Sequence, residues 1–218
     1  MEEFSEARLT AAEALRDLNH AVVAHDADDA TLERVASVAR EVIADLQAAP
    51  RRARVIPRLD QLPEGPAGIE ARRAAMADRG VGGPANPTGV EMVPRREGDE
   101  AIADVRFGPA FEGALGRVHG GVVAAVFDDV TGFVLAFVGQ PGFTGRLTIN
   151  YRAPVPIETT IEFRARLRER DGRKLYVDAD AHLDGTLLAT AEGMFIMVDH
   201  DHFATPAADL LDVRQRPT

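Results

Sequence analysis

The chain has 218 residues, a formal net charge of −10, 45% apolar and 28% charged residues, and no cysteine. These are the proportions of a globular protein, one ordinary domain with an extension or two small domains, long enough to bury a core. Disulfides, thiolate catalysis and Cys-bound metal are excluded, and the acidic balance argues against nucleic acid, whose binders carry a basic footprint.

The N-terminus, "MEEFSEARLT", has no apolar run, so no signal peptide is expected. Together with the missing cysteines this fits a reducing, cytoplasmic setting. Residues 5–24 read as a helix, with Leu9, Ala12, Leu15, Leu18 and Val22 at helical spacing. Residues 31–47 read as a second, with Leu32, Val35, Ala39, Val42, Ile43 and Leu46 on one face and Asp28 or Asp29 as its cap. The expectation is a helical hairpin over residues 1–50. Residues 51–81 are rich in Pro, Gly and Arg and read as a linker, with one short helix at 68–78. Residues up to 100 continue as extended segments and loops.

From residue 100 the pattern tightens. "AIADVRF" alternates as a strand. Residues 118–138 form one long apolar run, about the length of a membrane span. Two mid-run acids, Asp128 and Asp129, and three glycines argue instead for a buried helix. Residues 144–155, 160–170, 174–183 and 187–198 read as four strands, with hairpin signals at Asp171-Gly172 and Asp184-Gly185. One strand, one buried helix and a four-strand meander make an α+β plan, an antiparallel sheet with a helix against it.

A carboxylate inside an apolar helix must be paired, neutralised or used. Adjacent helical residues point about 100° apart, so the two aspartates meet different surroundings. A solvent-facing Asp129 or a buried ion pair at Asp128 would be purely structural. The start of the helix, "VHGG", offers outward amides that stabilise developing negative charge. An oxyanion site and a carboxylate on one element suit acyl transfer.

"HGG" with an acid nine residues after the His, followed by "TGRLTINYRAPV" and preceded by "GPANPTGVEM", resembles the hotdog-fold acyl-CoA thioesterases. The resemblance is nearest to the phenylacetate-degradation-type branch of the hydroxybenzoyl-CoA thioesterase superfamily and covers residues 82–198. It implies a hotdog domain over 82–200, an antiparallel sheet wrapped around a long central helix, with the N-terminal helices as an extension and 201–218 as a tail. It also implies hydrolysis of an acyl-CoA or related thioester, without cofactor or metal, by a homodimer or dimer of dimers. Carried over residue by residue, Asp128 is the general base or nucleophile and Gly120 the oxyanion donor. Thr144 orients water, and His119 positions the loop. Gly121, Asn150 and Arg152 lie near the substrate.

Gly120 and Asp128 are eight residues apart, about 12 Å along a helix at roughly 1.5 Å per residue. Both must reach one carbonyl within about 3 Å. Two helices from two chains, packed antiparallel, meet that demand where one helix does not.

Arg164, Arg166, Arg168 and Arg170 fall on one strand face, either a solvated outer surface or a contact for CoA phosphates. "DHDH" at 199–202 reads as a polar tail in preference to a metal site. Two other functions compete with hydrolysis: a hydratase or dehydratase on the same fold, and a non-catalytic acyl-CoA-binding module with the N-terminal helices as its partner surface.

Overall fold

The computed structural model describes residues 4–52 and 77–205. The short helix expected at 68–78, and most of the linker around it, lie outside the described residues.

Helix α1 (Glu6–Ala24) starts at Ser5, whose side chain accepts the Arg8 N–H. Helix α2 (Asp29–Ala48) starts at Asp28, which accepts from Thr31 N at 2.8 Å. These N-caps satisfy amides that the first turn leaves free. The two helices expected over residues 1–50 are present, joined by residues 25–28. Ala12 is the one buried residue of α1, and α2 has none. The periodicity marked the helices correctly but not what their apolar faces would meet.

Strand β1 (Glu91–Glu97) pairs antiparallel with β2 (Glu100–Arg106) through a Gly98-Asp99 turn. A strand at 91–97 corrects the expectation of loops up to residue 100. Its Pro94 sits on an edge strand, where a missing donor is tolerated. A short 3-10 turn, Pro109–Phe111, leads toward the long helix α3 (Gly120–Val138). Then follow β3 (Gly142–Tyr151), β4 (Thr160–Asp171), β5 (Lys174–Leu183), β6 (Thr186–Met197) and the single-turn α4 (His200–Ala204).

The strand order is β1-β2-β4-β5-β6-β3. Only β4, β5 and β6 form a meander. The expected fourth member, β3, pairs with β6 at the far edge. The β5–β6 turn has φ of 48° at Asp184 and 78° at Gly185, the positive pair a two-residue hairpin loop demands.

Helix α3 is long and apolar enough to cross a membrane, but it lies against the sheet as the core helix. Val123, Val126, Phe127, Val130 and Val134 are buried against Ile161, Phe163, Ala165, Leu175 and Val177. Phe163 meets Phe127 edge-on at 5.0 Å and Phe107 at 6.2 Å, a geometry aromatic pairs favour.

The outer face of the sheet is ionic. Arg164 pairs with Glu162 and Glu100, Arg166 with Asp180, and Arg168 with Asp178 and Glu192. This is the solvated outer surface, its first three guanidinium groups already matched by carboxylates. A bulge between Leu167 and Glu169 shifts the register, so that Arg170 pairs with the buried Leu175 and, against expectation, leaves the face of the other three arginines; it donates to Gln140 just past α3.

Candidate active site

At the start of α3, His119 is the N-cap. Its Nδ1 accepts the Gly121 N–H at 3.0 Å, and its carbonyl accepts from Val122 and Val123. The Gly121 amide, expected near the substrate, is therefore held by the His119 ring. The Gly120 N–H meets no acceptor among the described residues. Tyr151 donates its hydroxyl to the Gly120 carbonyl at 2.6 Å and so ties β3 to this turn. The His119 N–H is itself bound to the Phe111 carbonyl at 2.8 Å. A cleft of about 550 Å³ opens here, lined by His119, Gly120, Tyr151, Arg117 and Arg152. Asn150, on exposed β3, lines neither this cleft nor the cavity described next.

Asp128 lies two turns further along. It is half-buried, and its Oδ1 accepts the Thr144 hydroxyl proton at 2.8 Å. A bulge at Gly145 interrupts the β3–β6 register beside Thr144. A Cβ there would lie 2.9 Å from Met194 Cε, so a larger residue would have to move that side chain. Bulges of this kind re-aim a neighbouring side chain. Asp128 and Thr144 open onto a cavity of about 350 Å³ walled by Phe133, Phe137, Phe143 and Phe195. The Asp128 end and the Gly120 end of one chain thus face separate spaces.

Asp129 has the opposite environment. It is buried, its Oδ2 accepts the Gly82 N–H at 2.8 Å, and Oδ1 lies 3.8 Å from the Arg79 guanidinium. Burial pushes its carboxyl above the usual range; Arg79 and the Gly82 N–H pull it down but do not outweigh desolvation. Of the two acids it is Asp129, not Asp128, that makes the buried pair, and it is not the solvent-facing one. Its partners, 47 and 50 residues upstream, carry no signal in the sequence. Tyr151 was visible only as a strand residue.

The "DHDH" segment forms α4. Asp199 caps it by accepting the His202 N–H at 2.7 Å, and Phe203 stacks on Phe143 at 5.1 Å. Its polar residues thus begin a helix turn that leans on β3.

Residues 115–190, from just before α3 into the first part of β6 and including His119, Gly120, Asp128, Thr144 and Tyr151, match the Thioesterase superfamily. The crystal structure of RHA08564, a thioesterase superfamily protein, superposes with a TM-score of 0.74 at 26% identity, covering 90% of this chain and 97% of that one. That cover exceeds the helix-and-sheet domain and takes in part of the N-terminal helices. Acyl-coenzyme A thioesterase THEM4 of Bos taurus is 29% identical over 141 residues, 63% of this chain and 58% of that protein. THEM4 of Rattus norvegicus is 33% identical over 92 residues, 41% of this chain and 40% of that protein. The chain thus spans less than two thirds of the length of these curated relatives. An antiparallel sheet of six strands around one core helix, shared at this level with a thioesterase superfamily structure, is the hotdog fold, and residues 115–190 within it are similar to the Thioesterase superfamily.

Proposed function

We propose that this protein hydrolyses an acyl-CoA thioester to the free acid and thiol, at a site completed by a second copy of the chain. The observation that carries this reading is the 2.8 Å hydrogen bond from Thr144 to Asp128 at the mouth of an apolar cavity. A carboxylate held by a hydroxyl can take a proton from water, and the aromatic walls suit an acyl chain. The resemblance to acyl-coenzyme A thioesterases supports the same substrate class.

In this mechanism Asp128 accepts a proton as water attacks the thioester carbonyl, with Thr144 orienting water and carboxylate. The oxyanion is met by the free Gly120 amide of the second copy, at the positive end of its helix. Collapse of the tetrahedral intermediate expels the CoA thiolate, which takes up the proton that Asp128 received from water and so restores the carboxylate. Direct attack by Asp128, giving a mixed anhydride that water then opens, uses the same groups.

The second copy is required because the two halves of the chemistry lie at opposite ends of α3. The surface that would receive it is present. β3 is a ten-residue edge strand with mostly exposed residues, a template for pairing with another chain. Gly121, Ala124, Ala125, Asp128, Gly132 and Ala136 give α3 a face of mostly small residues outside the core, where a second helix can approach closely.

A panel of acyl-CoAs, run on wild type and on Asp128→Asn, tests the reading. Wild type turns over at least one thioester, and Asp128→Asn lowers kcat by about 10²-fold or more. Tight CoA binding with no hydrolysis of any member would make the domain a binding module instead.

A further inference from the structure

The face of α1 that carries the buried Ala12 also carries Arg16 and His20, while its larger apolar Leu15, Leu18 and Val22 stay exposed. Arg16 and His20, one turn apart on one face, reach two different loops. Arg16 Nη1 donates to the carbonyl oxygens of Pro84 and Asn86, each at 2.9 Å. His20 Nδ1 accepts the Ala110 N–H at 3.1 Å, and its ring meets Phe111 edge-on at 5.3 Å. The fit is close: a Cβ on Gly108 would fall 2.6 Å from the imidazole.

Each loop runs on to one half of the proposed chemistry. The Phe111 carbonyl, next to the residue His20 holds, accepts the His119 N–H, and His119 caps the helix beside the free Gly120 amide. The Pro84–Asn86 segment follows Gly82, whose N–H binds Asp129, the neighbour of Asp128. Loops hold a catalytic geometry only when their own backbone groups are fixed by surrounding structure.

We propose that α1 is a strap across the active site, with Arg16 and His20 as positioning residues that hold the oxyanion turn and the Asp129-anchored loop together. The assignment rests on the thioesterase reading for its catalytic consequence, but the mechanical link from His20 to His119 stands apart from it.

The His20 bond needs an unprotonated Nδ1, so protonation sets an N–H against the Ala110 N–H and releases the strap. Burial holds the imidazole below its ordinary value; Asp17 and Glu91 pull it up, and Arg16 pushes it down. The turn Pro109–Phe111 carries no titratable side chain. Docking is therefore present above the ordinary imidazole value of 6.5 and is lost as pH falls through the lowered folded value.

The test compares wild type, His20→Ala and His20→Asn as full-length chains. An asparagine amide oxygen can stand where Nδ1 does and keeps the acceptor without titrating. Amide exchange over residues 118–121 and steady-state hydrolysis of an acyl-CoA are both measured. For His20→Ala, exchange at 118–121 quickens and kcat falls by about tenfold, with KM within about twofold, the scale of coupling through a contiguous network. His20→Asn recovers most of both and lacks the part of the acid limb that His20 contributes. Unchanged exchange in His20→Ala, or equal impairment in His20→Asn, overturns the strap. If wild type cleaves no thioester, the thioesterase reading falls, and the exchange data still decide whether α1 holds the turn. Arg16→Gln extends the test to the other loop, where exchange over 82–89 is expected to quicken.

Discussion

Replacing Thr144 by valine removes one hydroxyl at nearly constant volume, and valine is at home in a strand. What is lost is the 2.8 Å bond to Asp128. A hydrogen bond to an ionised acceptor contributes about 1.5–3 kcal/mol. Thr144 is exposed in the single chain, so water restores part of that and the lower end applies. Roughly 1.4 kcal/mol is about tenfold in rate. The expectation is a kcat about tenfold down with KM nearly unchanged, since the hydroxyl acts on water and carboxylate and not on the acyl group. In an Asp128→Asn background the same substitution should cost less than about twofold, because its target is already gone. The assay is release of CoA thiol followed with a thiol-reactive dye, and a chain without cysteine contributes no background. Equal tenfold losses in both backgrounds would show that Thr144 does not act through Asp128. A change confined to KM would reassign it to binding.

Three further outcomes are expected. Gly120→Pro and Asp128→Asn, refolded together in equal amounts, should regain about a quarter of wild-type activity, since about half of the dimers are mixed and each has one intact site; Gly120 is the first helical residue, where proline is accepted, and folded mixed dimers without activity would rule out a shared site. Asp129→Asn should change turnover far less than Asp128→Asn. Because the folded carboxyl is raised above its ordinary value of 3.8, its ionisation weakens the fold as pH rises through that folded value. Asparagine keeps an acceptor for Gly82, so its Tm at pH 7 should match or exceed wild type, while Asp129→Ala should fall about 1–3 kcal/mol below Asp129→Asn in a denaturant titration. Phe163→Ala should lose about 3–5 kcal/mol in the same titration, because its fully buried ring joins Phe127 on the helix to Phe107 beyond β2.

Local chemistry made much of this protein legible. Strands β2, β4 and β5 announced themselves by alternation, β6 by its apolar character, and α3 by an apolar run too long for a strand. Asp184-Gly185 marked its turn because few residue pairs accept two positive φ angles. The spacing from His119 to Asp128 showed that one helix spans too far for one site, and the structure places those two ends in separate spaces. Asp128 and Thr144, 16 residues apart, were paired through a resemblance, and they lie within hydrogen-bond distance.

Other features had no local signature. β1 was hidden by Pro94 and its neighbouring arginines, which mark it only once it is known to be an edge. Alternation shows that β3 is a strand but not that it crosses to β6, since strand order depends on which faces the core helix covers. The split between the aspartates needed Gly82 and Arg79 to arrive from far upstream. The hold of His20 on Ala110 spans 90 residues. Periodicity and turn chemistry act over a few residues, and so the sequence by itself determined which elements form. Burial and pairing between distant segments exist only once the chain has collapsed. Only the tertiary structure could decide that one aspartate holds the Thr144 hydroxyl, that the other anchors a loop, and that Arg16 and His20 tie α1 to the domain.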